Sequence, residues 1–118
     1  MLKDKALENL AAGELLLERG FPNAAASRFY HAMYQASVHR LAALGFVPGR
    51  IRSGAVEWDH SMVLNNLSLV GANRLDRDLY AEMRRFRGEA DYGDDPVRAP
   101  DLEDRRDAVR ELVRRLTR

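Results

Sequence analysis

The stretch Ala25-Ala-Ser-Arg-Phe-Tyr-His-Ala-Met-Tyr-Gln-Ala36 decides the fold, because as a helix it is apolar or small around almost its whole circumference. The same character continues to Leu41, and Gly45 supplies a stop signal. A helix that lacks a broad polar face is stable in water only when other elements surround it. We therefore predict a long central helix that begins after Asn23 and ends at Leu44.

Four further segments have helical periodicity, and no segment alternates with period two for long. The predicted helices cover about 3–19, 24–44, 58–72, 75–92 and the residues from Asp101 onward, with Asp101 as the N-cap. The apolar positions of the last helix are Leu102, Val109, Leu112, Val113 and Leu116. Short connections favour antiparallel neighbours, so the sequence predicts an all-α, up-and-down bundle of four to five helices in one domain, 1–118. Residues 45–57 form an unusually long link, and Trp58 after it is a predicted packing anchor.

Composition limits the functional classes. The 118 residues carry a formal net charge of +1, which gives no general attraction to nucleic acid, and we expect no DNA partner. No cysteine is present, which excludes disulfides, thiolate zinc sites and cysteine nucleophiles. No apolar run approaches the ~18 residues of a spanning helix, and Lys3 and Lys5 alternate with acids without an apolar block behind them. We expect a cytoplasmic protein without a membrane partner or targeting peptide.

The central helix has one narrow polar strip, formed by Arg28, His31, Gln35 and His39. The strip is either the solvated side of the helix or a site for phosphate binding or proton transfer. The His31–Gln35 and Gln35–His39 spacings suit a metal, but no acidic residue accompanies them on the strip. We therefore predict no metal site and no cofactor.

The fourth helix carries two neighbouring stripes and ends before Gly93 and Pro96. The predicted packing stripe is Leu75, Leu79, Met83, Phe86 and Ala90. The predicted outward stripe is Tyr80, Arg84, Arg87 and Asp91. Arginine stays charged and presents a fork of donors that matches phosphate, so Arg84 and Arg87 of this stripe are candidates for binding a phosphate. Alternatively, Arg87 and Asp91 form an ordinary i, i+4 surface pair.

Three motifs together resemble the HEPN family of prokaryotic helical domains. They are the 25–36 stretch quoted above, His60-Ser-Met-Val63, and Arg87-Gly-Glu-Ala-Asp91-Tyr92. The resemblance implies a four- or five-helix bundle, usually a homodimer, in which arginine-bearing helices line a shared cleft. It also implies a link to RNA, since many members are metal-independent ribonucleases, often toxins neutralised by a partner nucleotidyltransferase.

The chain departs from the ribonuclease signature, in which a histidine follows the arginine after four to six residues. The corresponding positions hold Tyr92, Gly93 and Asp94. A tyrosine with a pKa of about 10 is only about one part in a thousand ionised at pH 7, so Tyr92 is a poor base. We therefore expect binding rather than strong catalysis.

Three functional interpretations stay open. The first is a module that binds a nucleotide or RNA phosphate, or a partner nucleotidyltransferase, in a toxin-antitoxin-type pair. Its expected binding residues are Arg28, His31, Arg84, Arg87, Asp91 and Tyr92. The second is a metal-independent endoribonuclease in which Arg87 acts with a relocated histidine, His31, His39 or His60. The third is a homodimeric interaction protein whose polar stripe is the interface.

Overall fold

A computed structural model describes residues 2–46 and 59–118. The helices are α1 (Leu2–Glu18), α2 (Pro22–Ala43), α3 (His60–Asn65), α4 (Arg74–Tyr92), α5 (Ala99–Glu103) and α6 (Arg106–Leu116), with a 3₁₀ turn at Leu67–Val70. These residues contain no strand, so the prediction of an all-α helical bundle is confirmed. No helix within the described ranges is long and apolar enough to cross a membrane. Trp58 and most of the predicted 45–57 link lie outside those ranges.

The central position of α2 is confirmed. Ten of its side chains are buried, and its most extensive contacts are with α1, then α4, then α6. The close packing of α1 against α2 depends on Gly13, because a Cβ there would come within 2.8 Å of the Phe29 ring. The predicted inner stripe of α1, namely Ala6, Leu10, Gly13 and Leu17, is buried against this contact.

The third predicted helix, 58–72, is interrupted. The helix α3 ends at Asn65, and the side-chain amide of Asn66 then donates to the Met62 carbonyl oxygen at 2.7 Å. Such local side-chain bonds compete with continuation of a helix. The chain tightens into the 3₁₀ turn, and Gly71, with a φ of 81°, ends it in the left-handed conformation that glycine accepts readily.

The last predicted helix is two helices, and Asp101 is not an N-cap. Asp101 lies inside α5, which begins after Arg98, and α6 begins after Arg105. The break lets the Arg105 guanidinium turn back to the Asp101 carbonyl oxygen at 2.8 Å. The core positions of this region were nevertheless predicted correctly, since Leu102, Val109, Leu112, Val113 and Leu116 are all buried.

The predicted faces of α4 are partly wrong. Met83 and Phe86 are buried as expected, but Leu75 is 77% exposed and Tyr80 is 0% exposed. Tyr80 turns inward because its ring packs edge-on against Tyr30 of α2, with ring centroids 5.6 Å apart. Leu75 belongs to the first turn of α4, and the buried residues of this helix begin at Tyr80.

Candidate functional site

Five polar residues meet where α2, α3 and α4 converge. We call them the arginine-histidine cluster: His31, His60, Arg84, Arg87 and Asp91. The charges of Arg87, His60 and Asp91 all act on the His31 imidazole. Arg84 donates from Nη1 to the Ser61 hydroxyl at 3.4 Å, which brings it to the first turn of α3 beside His60. The structure thus brings together residues that are up to 60 positions apart in the sequence.

Local structure explains how α3 presents His60. Asp59 caps this helix, because its carboxylate accepts the Ser61 amide at 2.7 Å and the Met62 amide at 3.3 Å. His60 is consequently the first helical residue and faces α2. Its ring stacks on Tyr34, with centroids 4.3 Å apart and planes inclined by 19°.

Tyrosines form the floor of the cluster. The Tyr30 hydroxyl is hydrogen-bonded to His60 Nδ1, and the Tyr80 ring packs edge-on against the Tyr30 ring. The Tyr80 hydroxyl is buried and has no hydrogen-bond partner among the described residues. Burial raises the pKa of both tyrosines above the ordinary value. Both hydroxyls therefore keep their hydrogens at neutral pH.

The environment of His31 favours the unprotonated imidazole. Burial lowers the pKa of its imidazole, and the charges of Arg87 and His60 lower it further, while Asp91 opposes them. His31 is therefore mainly neutral at pH 7 and has a ring nitrogen that can accept a hydrogen bond or a proton. A tyrosine, such as the one at position 92, is a poor proton acceptor at this pH.

Arg87 has a local partner, as the alternative interpretation of the sequence proposed. Its Nε lies 2.9 Å from Asp91 Oδ2, one helical turn away. The guanidinium also lies 5.5 Å from the centroid of the Tyr92 ring. Tyr92 is 78% exposed, so it covers Arg87 from the solvent side and is not enclosed by the cluster.

Arg84 differs from Arg87, because no carboxylate within the described ranges pairs with it. Its long hydrogen bond to Ser61 is a contact with a neutral group. The side chain is only partly exposed. The cluster therefore contains a cation that is not compensated by a neighbouring acid.

The polar strip predicted on α2 divides between two surfaces. The hydrogen bond of Arg28 lies outside the cluster, because its Nη1 donates to Asn9 Oδ1 of α1 at 3.0 Å. Asn9 in turn donates to Gln35 Oε1 at 2.8 Å. These residues line a small groove of about 290 Å³ between α1 and α2, and Arg28 reaches the cluster only through the effect of its charge on His31.

His39 joins neither surface by a hydrogen bond, ion pair or ring contact within the described ranges. The sequence missed Ser61 and Tyr80 as members of the site. Tyr80 had a signal, because it lies one turn before Arg84 on the same stripe of α4.

A second concave surface lies on the other side of α4. This acidic groove, about 640 Å³ in volume, runs between α4 and α6 and is lined by Leu75, Asp76, Asp78, Glu82, Asp104 and Glu111, among others. Its arginines are paired across the helices: Arg105 lies 2.5 Å from Glu82, and Arg115 lies 2.8 Å from Asp76. Both arginines that line the groove therefore already have acidic partners, and neither is left to bind an anion.

Within the described ranges, no three histidines or acids lie close enough together to hold a metal ion. The chain matches none of the protein-family models, curated proteins or solved structures with which it was compared. The likeness to the HEPN family therefore rests on the three sequence motifs.

Proposed function

We propose that this chain is a HEPN-type helical module that binds the phosphate of a nucleotide or RNA at the arginine-histidine cluster. The observation that supports it is Arg84, a partly buried guanidinium without a carboxylate partner in the described part of the chain, three residues from Arg87. Two arginines so placed can hold a phosphate through charge-assisted hydrogen bonds.

Binding of a labelled single-stranded RNA to arginine variants tests this function. Arg84→Ala and Arg87→Ala should each weaken binding by about tenfold or more, since a hydrogen bond to a charged group contributes ~1.5–3 kcal/mol. Arg85→Ala is the matched control. Arg85 is exposed on the same helix, about 100° away from Arg84, and lies over the Phe86 ring at 5.1 Å. Equal affinities in all four proteins would place the ligand elsewhere.

A metal-independent endoribonuclease is the second candidate, and one observation favours it. The neutral His31 beside Arg87 pairs a proton acceptor with a phosphate-binding cation, which is what cleavage through the ribose 2′-hydroxyl requires. We expect the parent protein to bind RNA in the presence of a chelator without cutting it. Cleavage that disappears in His31→Ala and persists in His39→Ala would instead make the chain a ribonuclease.

The partners of this module are part of the same proposal. Tyr92, which lies over the Arg87 guanidinium, is exposed at the end of α4, where either a second copy or a nucleotidyltransferase could cover it. A two-fold interface would place this patch against itself. Sedimentation of the 13.4 kDa chain at micromolar concentration should then show a dimer, and Tyr92→Ala should weaken it. A chain that stays monomeric would mean that a single chain forms the whole phosphate site.

A further inference from the structure

Tyr92 is a large aromatic side chain that the fold does not bury. It is the last residue of α4 and is 78% exposed. The Arg87 guanidinium lies over its ring, 5.5 Å from the ring centroid, and is itself paired with Asp91 at 2.9 Å. No other ring or cation of the described ranges contacts Tyr92. The ring therefore has a paired cation on one face and presents the opposite face to solvent.

An exposed aromatic face beside an arginine is suited to an unpaired nucleic-acid base. Proteins that bind single strands stack successive bases on aromatic side chains, next to cations that contact the backbone. A base inside a duplex is already paired and stacked, so it cannot use such a face. Inorganic phosphate has no ring to place there. The chemistry of Tyr92 therefore favours a single strand as the ligand.

The distance between Tyr92 and Arg84 indicates how long that strand must be. Eight residues at 1.5 Å each separate the two Cα atoms by about 12 Å along the helix axis. The hydrogen bond of Arg84 goes to Ser61, and helical side chains tilt toward the helix N-terminus, which is away from Tyr92. Successive phosphates of one stacked strand are about 3.4 Å apart along its axis, so about four nucleotides are needed to span the gap.

Gly88 lies halfway between Arg84 and Tyr92, one helical turn from each. A Cβ at this position would meet no packing neighbour within 4 Å among the described residues, so their packing does not require a glycine there. Glycine inside a helix is less stable than alanine, but it lets the backbone of a ligand approach closely. Gly88 therefore leaves room for a strand that passes from Arg84 to Tyr92.

We propose that Arg84, Gly88 and Tyr92 form a platform for single-stranded RNA along α4. A phosphate lies at Arg84, the strand passes over Gly88, and an unpaired base stacks on the solvent-facing side of the Tyr92 ring. The inference rests on the proposed phosphate function and makes it more specific, because it selects a single strand of several nucleotides over a free nucleotide or a duplex.

Binding of a short labelled single-stranded RNA, compared with the same strand without bases, tests the platform. Tyr92→Leu should weaken binding of the intact RNA by about fivefold or more, because it removes one base–aromatic stack. Tyr92→Phe keeps the ring and should bind the intact RNA as the parent does. The parent and Tyr92→Leu should bind the abasic strand equally.

Two results would overturn the platform and leave the phosphate site standing. The first is an unchanged affinity of Tyr92→Leu for the intact RNA while Arg84→Ala binds it more weakly. The second is an equal loss for the intact and the abasic strand, because Tyr92 would then act through a subunit contact or the fold. If Arg84→Ala also binds like the parent, the phosphate function itself fails.

Gly88→Ala tests the path of the strand. The variant should raise the melting temperature, because alanine favours the helix, and it should weaken binding of the intact RNA. A variant that is more stable and binds RNA like the parent would overturn the passage of the strand over Gly88. A less stable variant would mean that the glycine serves the fold, which would also overturn it.

Discussion

The two sides of α4 use the same residue type for different purposes. On the α6 side, Arg105 and Arg115 are paired with Glu82 and Asp76 at 2.5 and 2.8 Å. On the α2 and α3 side, Arg84 donates at 3.4 Å to a hydroxyl. Arg105 and Arg115 therefore connect α4 to the end of the chain through carboxylates, whereas Arg84 has no acidic partner within the described ranges.

The partners of Arg87 fit the same distinction. Its ion pair with Asp91 connects residues on the same helix, so it does not hold two elements together, and i, i+4 pairs stabilise a helix by only ~0.2–0.5 kcal/mol. The pairs on the α6 side connect two helices. A phosphate can compete with Asp91 at lower cost than with Asp76.

Tyr80 and Leu75 provide the largest contrast between the two sides. Tyr80 is the buried floor of the cluster, so Tyr80→Ala should lower the free energy of unfolding by about 3–5 kcal/mol, as for other large aromatic truncations in a core. Leu75 is exposed beside the acidic groove, and Leu75→Ala should change it by less than ~0.5 kcal/mol. Urea unfolding measures both. Comparable losses would mean that the first turn of α4 is covered as the sequence pattern predicted.

On the α6 side, replacement of Asp76 is expected to cause a smaller loss of stability than replacement of Tyr80. Its carboxylate accepts the Asn73 amide at 3.0 Å in a capping box and also pairs with Arg115. Asp76→Ala should therefore destabilise the protein by about 1–2 kcal/mol without changing RNA affinity. Asp78→Ala is the control, since its contact with Arg74 is 4.0 Å long and exposed, and such pairs contribute little. A loss of RNA binding in Asp76→Ala would show that the two sides are coupled.

The smallest expected effect is on the titration of His31. Its folded pKa lies below the unfolded value of about 6.5, so below that pH the unfolded chain binds more protons and stability falls. The contribution is complete above the unfolded pKa and is lost as the pH falls from that value through the lower folded pKa. His31→Gln should flatten the stability profile as the pH falls below about 7.

Two variants assign the causes of this shift. Arg87→Ala should raise the pKa of His31 in an NMR titration, and Asp91→Asn should lower it, because Arg87 disfavours the imidazolium and Asp91 favours it. Identical His31 titrations in the parent and both variants would mean that neither Arg87 nor Asp91 affects the His31 imidazole.

Much of the fold could be predicted because its core helices have one dominant pattern each. The apolar circumference of α2, the inner stripe of α1 and the spacing of α6 were sufficient for the all-α bundle. The faces of α4 could not be predicted as reliably, because tyrosine suits either a core or a polar stripe. Which applies to Tyr80 depends on Tyr30, a residue 50 positions away.

The cluster was predictable as a set of residue types but not as an arrangement. His31, His60, Arg84, Arg87 and Asp91 were all candidates from the sequence, and the structure places them together. Arg28 was a candidate for the same reason, and Asn9 of α1 binds it on a different surface. Helical spacing places Arg28 and His31 on one strip, but it does not show which neighbouring helix contacts each of them.

The salt dependence of RNA binding tests most directly whether the cations of the cluster neutralise phosphate. For a single strand, the slope of log K against log salt falls by about 0.7 for each phosphate contact removed. The Arg84→Ala/Arg87→Ala double variant should lose about 1.4 of the parent slope, and Arg85→Ala should keep the parent slope. A double variant with the parent's slope, or an equal loss in Arg85→Ala, would contradict a phosphate site at the arginine-histidine cluster.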